Sequence, residues 1–203
     1  MLSAKQQRGF SMVEVLAVVA VLSLMLAALA PGVMDWVRAA RVRNAAEAVY
    51  SGLQKARIEA IKRNVPVTFW LVSAPDSGAL PGKDCKVNAK SASWVVSLES
   101  PAGQCEVSPS TTTTPKIVAT HGAGTVAAGV SVSGLANDGT TPAMSVTFNP
   151  LGQTTMNSAA LSRINFDHEA ESARKYSVQV SEAGDIRLCD RVVKNAGDPR
   201  RCA

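Results

Sequence analysis

Arg8-Gly9-Phe10-Ser11-Met12-Val13-Glu14, followed by an apolar run that reaches Ala30, is the stretch that decides how this chain is built. Residues 1–9 are polar and basic. Residues 10–30 hold a single charge, Glu14. As a helix they reach about 32 Å, enough to cross a bilayer core. Lys5 and Arg8 precede the span and place the leader in the cytoplasm, because positive flanks stay inside. Arg38, Arg41 and Arg43 on the far side pull the other way. The cysteines support the orientation that the leader sets. All four, Cys85, Cys105, Cys189 and Cys202, lie beyond the span, where an exported segment meets an oxidising compartment.

Two simpler readings of this N-terminus compete with that plan. A secretory signal peptide would end at a small-residue site such as Ala28-Leu29-Ala30, but its apolar core is normally shorter and carries no acid. A plain membrane anchor is disfavoured by Glu14. An unpaired carboxylate in hydrocarbon costs roughly a few kcal/mol and is kept for a purpose.

Beyond residue 30, Pro31-Gly32 interrupts the apolar run and is expected to kink or locally melt the helix, since proline removes a backbone hydrogen bond. Helical patterning then resumes. Val42, Ala46, Val49, Leu53, Ala56 and Ala60 recur at steps of three and four and mark one apolar face. Residues 38–63 also hold seven basic and two acidic side chains, a basic surface that solvent, acidic neighbours in a filament, lipid headgroups or DNA could face. Asn64 and Pro66 end the helix. The domain plan is thus a leader over 1–9, a transmembrane helix over 10–31, an amphipathic helix over 32–64 and a head over 65–203.

The head reads as β. Short runs rich in branched residues occupy 65–72, 93–98, 116–120, 129–133, 144–148, 162–166, 176–181 and 186–189, separated by Gly, Pro, Asn, Asp and Ser. Glu182-Ala183-Gly184-Asp185 joins two alternating runs, which is a hairpin signal. The fold class expected is α+β: a long N-terminal helix packed on an antiparallel sheet, the sheet covering the 42–60 stripe. Residues 75–90 and 99–115 read as loops, the second with a Ser/Thr run at 108–114.

The chain has 203 residues, a net charge of +5 and few aromatics, at 4%. A chain cut after Gly9 carries +3, too little to argue nucleic-acid binding by itself. No cysteine forms C-x-x-C, and His121 and His168 are not at metal-ligand spacing, so no metal is expected. The four cysteines allow three pairings. Proximity favours Cys85–Cys105 and Cys189–Cys202. Nothing resembles a nucleophile elbow or a phosphate-cradling loop. No enzymatic activity and no cofactor are expected, and the two histidines read as surface residues.

The N-terminal text Gly9-Phe10-…-Glu14 resembles the type IV pilin processing motif. That resemblance implies cleavage between Gly9 and Phe10 by a prepilin peptidase, methylation of the new amine at Phe10, and a role for Glu14 in filament assembly. The text Asn44-Ala45-Ala46-Glu47, residues 53–64, Val146-Thr147-Phe148-Asn149-Pro150-Leu151-Gly152 and Gly184-Asp185-Ile186-Arg187-Leu188-Cys189-Asp190 resemble the GspH/FimT group. The ending Gly197-Asp198-Pro199-Arg200-Arg201-Cys202 is similar to its FimU/FimT branch of minor pilins. The resemblance implies a pilin fold and partners among other minor and major pilins. It also implies residence in the inner membrane, with the head in the periplasm, before entry into a pilus or a type II secretion pseudopilus. Some FimT-type proteins bind DNA through a Gly-Arg-x-Arg stretch. Here only Gly184 and Arg187 match, and Asp185 sets a negative charge where a phosphate contact is required.

Overall fold

The computed structural model describes residues 11–75, 79–124, 129–155, 157, 159–169 and 174–202, with backbone alone for 27–31. Two compact units emerge, Met1–Val37 and Arg38–Ala203. One helix, α1 (Met12–Arg63), contributes to both. Among the described residues eight strands follow: β1 (Val67–Leu71), β2 (Trp94–Ser97), β3 (Ile117–His121), β4 (Val130–Leu135), β5 (Ser145–Phe148), β6 (Arg163–His168), β7 (Tyr176–Val180) and β8 (Ile186–Asp190).

No local melting occurs at Pro31-Gly32, because α1 is helical through both residues. Proline removes one intrahelical bond, and the remaining ladder of a 52-residue helix carries the segment across it. The helix ends where Asn64 takes a positive φ of 53°, a conformation suited to a helix C-terminus.

In the second unit, the stripe Val42, Ala46, Val49, Leu53, Ala56 and Ala60 is fully buried. Steps of three and four keep these side chains on one side, and small alanines let strands approach closely. The core continues into Phe69, Trp94, Val146 and Phe148, and into Ile164, Phe166, Val178 and Ile186. Trp94 is anchored as well as packed, since its indole Nε1 donates to the Ala48 carbonyl at 3.1 Å.

The strands form two four-stranded sheets rather than the single sheet expected. One has the order β3-β2-β1-β5 and the other β4-β6-β7-β8, with every pairing antiparallel. Alternation identifies a strand but not its neighbour. Here β1 skips past β3 and β4 to pair with β5, and β4 pairs with β6. Both sheets line the same core with α1 of this unit. The β7–β8 hairpin turns through Ser181–Asp185, where Gly184 N–H donates to the Ser181 carbonyl at 3.0 Å.

A smaller cluster of Val72, Cys85, Val95, Cys105 and Ile117, flanked by Trp70, holds the two long loops to the first sheet. Cys85 is bonded to Cys105 and Cys189 to Cys202, across 20 and 13 residues. The second bond ties the C-terminal tail beside β8, where Asp190 N–H donates to the Arg200 carbonyl at 2.7 Å. Replacing both Cys85 and Cys105 by serine is expected to lower stability by about 3 kcal/mol, because it frees the loop in the unfolded chain. Urea denaturation of the detergent-solubilised chain measures it, and an unchanged midpoint contradicts it.

His121 departs from its expected surface position. It is half-buried and stacked on Trp94, ring centroids 5.3 Å apart, and burial lowers its pKa from the ordinary imidazole value. His168 is likewise half-buried, near the backbone of Gly129.

Candidate functional site

Four features were expected to carry function: the processing site, Glu14, the cysteines and Arg187. Gly9 and Phe10 lie outside the described residues. Glu14 lies in the first turn of α1, where a carboxylate suits the helix N-terminus. It is exposed, and so is every side chain from residue 12 to 26. These include Leu22 at 52% and Leu24 at 73% exposure, two residues apart and so on nearly opposite sides of the helix. A helix apolar all round is not stable as a solvated surface element. Its side chains call for lipid or for other helices, and Glu14 is the only charge among them. Among the described residues no helix is long and apolar enough to cross a membrane. The apolar side chains described at 12–26 cover about 22 Å. Phe10 and the side chains of 27–31, which complete the expected span, lie outside the description.

Arg187 is exposed on β8. The register aligns Arg163, Gln179 and Arg187 in one row across β6, β7 and β8. They border a shallow depression of about 340 Å³, together with Asn137, Ser162 and Asp185. Neither Arg163 nor Arg187 has an ion-pair partner among the described residues. Asp185 shares the depression and offsets one of the two charges. Gly184, the other position matching the DNA-binding stretch, is buried at a backbone crossing.

A larger hollow of about 390 Å³ is lined by Arg43, Arg174, Tyr176, Asp190 and Arg200. Its arginines are already matched. Arg43 pairs with Glu47 at 2.7 Å, Arg174 with Asp190 at 2.8 Å and Arg200 with Asp198 at 2.7 Å. Hydrogen bonds from Arg200 hold the Asp198 carboxyl at about 2, so it stays charged at neutral pH. These pairs secure the tail and the α1 surface and leave no uncompensated charge for an anion.

With this geometry in view, the family follows. The type II transport protein GspH family matches residues 45–184. The chain belongs to the GspH family. The prokaryotic N-terminal methylation motif matches residues 4–30, which include Gly9, Phe10 and Glu14. No curated protein sequence matches significantly. Among solved structures, the chain is similar to two crystal structures of the type IV minor pilin FimU of Pseudomonas aeruginosa. They are 16% and 17% identical and cover 72% of this chain, and 90% and 87% of theirs. Both have a TM-score of 0.43.

Family membership makes this GspH-family chain a pilin-like subunit that associates with other pilins. Of the seven basic residues of 38–63, Arg38 is half-buried and the other six divide by role. Arg43 and Arg63 are paired with Glu47 and Glu59. Arg57 Nε donates to the Gly152 carbonyl at 3.1 Å. Arg41, Lys55 and Lys62 are exposed. The sequence pattern left three apolar residues unnoticed as surface features: Ile58, Ile61 and Leu151 are 57%, 50% and 77% exposed. The available signal is that Ile58, between the buried stripe positions Ala56 and Ala60, and Ile61, directly after Ala60, both fall outside the stripe's spacing of three and four.

Proposed function

We propose that this GspH-family chain is a minor type IV pilin of the FimU/FimT kind, which primes pilus assembly at or near the filament tip. Prepilin peptidase cuts between Gly9 and Phe10, and the new amine at Phe10 is methylated. The helix over 10–31 holds the subunit in the inner membrane, with the head in the periplasm, until it enters the filament. The observation that carries this reading is the all-round exposure of a largely apolar segment at 12–26, with Glu14 its single charge. Such a helix needs lipid before assembly and neighbouring helices after it. The leader motif over 4–30 supplies the route between the two. The FimU-like ending 197–202, tied back by Cys189–Cys202, favours the pilus over other assemblies.

The family description supports a second reading, a pseudopilin of a type II secretion system. One experiment separates them. Deleting the chain in its host is expected to reduce surface pili at least about tenfold while the major pilin remains in the membrane. Normal piliation with loss of type II secretion would move the assignment to the pseudopilin. DNA capture is the weaker alternative, because Asp185 sits in the same depression as Arg187.

A further inference from the structure

Within the unit Arg38–Ala203, one corner of the head presents apolar side chains on a rigid support. Ile58 and Ile61 lie three apart on α1, on the side away from the buried Leu53, Ala56 and Ala60. Leu151 lies in the turn that follows β5, next to Gly152, over which Ile61 packs. That turn is closed by its own hydrogen bonds. Asn149 N–H donates to the Gln153 carbonyl at 2.8 Å, and Gly152 N–H to the Asn149 carbonyl at 2.8 Å. Asn149 Oδ1 accepts from the N–H groups of Leu151 and Gln153 at 2.9 and 3.0 Å. Arg57 fixes the turn to the helix through the Gly152 carbonyl, and Ile61 fills the space over Gly152, where an added Cβ would lie 2.8 Å from Ile61 Cδ1. A leucine held this rigidly at 77% exposure loses little entropy when a partner covers it.

The surroundings identify the kind of partner. Lys55 and Lys62 are one turn from Ile58 and have no ion-pair partner among the described residues. Glu59, the nearby acid of the helix, is engaged by Arg63 at 2.6 Å. Two copies meeting through this face would set the lysines against their duplicates, a repulsive isologous contact. We infer that Ile58, Ile61 and Leu151 form the docking face for a different pilin subunit, whose contacting surface is apolar at its centre and carries carboxylates at its rim opposite Lys55 and Lys62. The inference rests on the filament-subunit reading above and adds to it where the head touches its neighbour.

The test uses the full chain in its host, with a photo-crosslinking residue at position 151. Positions 16, on the apolar helix, and 192, another exposed apolar site of the head at 55%, serve for comparison. Position 151 is expected to give an adduct with a second, different pilin, mapped to a peptide bearing Asp or Glu. Lys55→Glu with Lys62→Glu should reduce it at least about tenfold, and reversing the partner's mapped carboxylates to lysine should restore it. The inference is overturned if position 151 crosslinks to a copy of this chain, to DNA or lipid, or to no pilin while position 16 does. It is overturned equally if position 192 captures the same pilin as strongly. Adducts with pilins at neither 16 nor 151 would defeat the filament-subunit reading together with it.

Discussion

Glu14→Ala is expected to leave the chain in the membrane and to exclude it from filaments. The substitution removes the only charge from an exposed apolar helix, so insertion in lipid becomes easier. In a filament the same carboxylate would lie among packed helices and meet the amine of Phe10 on a neighbouring subunit. Losing one partner of such a pair strands the other charge, a cost of about 3–5 kcal/mol. That corresponds to a fall of about a hundredfold or more in the share of subunits recovered from sheared filaments. Glu14→Gln keeps the length and loses the charge, so it should fail nearly as severely. Quantifying the chain in membrane and filament fractions measures both variants. Normal recovery of Glu14→Ala from filaments would remove Glu14 from the account.

The largest effect on folding is expected from Gly184→Ala. Gly184 has a φ of +82°, and an added Cβ would collide with the Gly152 carbonyl oxygen. The two turns cross backbone to backbone there, and neither side of the clash is a flexible side chain. The left-handed conformation costs about 1–2 kcal/mol for alanine, and forcing the crossing apart costs about 1–3 kcal/mol more. The melting temperature should fall by roughly 10 °C in a chain of this size. Gly197→Ala, with its nearest contact 3.7 Å away at Asn195, should change stability by less than about 0.5 kcal/mol. Equal effects at the two glycines would contradict the crossing. The result also separates two meanings of Gly184. A packing role lowers the melting temperature, whereas a role confined to DNA contact would leave it unchanged.

The buried stripe of α1 was legible because spacing alone reports it: Val42 to Ala60 recur with the helical period, and all are buried. The eight strands were legible for the same kind of reason, since branched residues and turn residues alternate along the head. Their arrangement was not. Whether β5 joins β1 or its chain neighbours depends on which edges meet after the helix is covered, and alternation is silent on that. One strand start was obscured by backbone conformation. Lys116 reads as strand, yet its φ of +56° puts it in the turn before β3. Pro31 misled for the opposite reason, a local penalty outweighed by the rest of the helix. At the site, the processing motif is a property of consecutive residues and is visible in the text. The exposed group of Ile58, Ile61 and Leu151 joins residues about ninety positions apart, and isoleucines on an amphipathic helix look like core until the fold turns them outward. His121 was misread similarly, because its ring contact with Trp94 depends on the pairing of β2 with β3.

In the function proposed, this subunit leaves the membrane for a filament after its leader is removed. The most direct measurement is the N-terminal mass of the chain recovered from filaments sheared off the host. The account predicts a chain that begins at Phe10, carries one added methyl group, and is absent from filaments when prepilin peptidase is missing. A chain recovered only from membranes, or one in filaments that still begins at Met1, would contradict it.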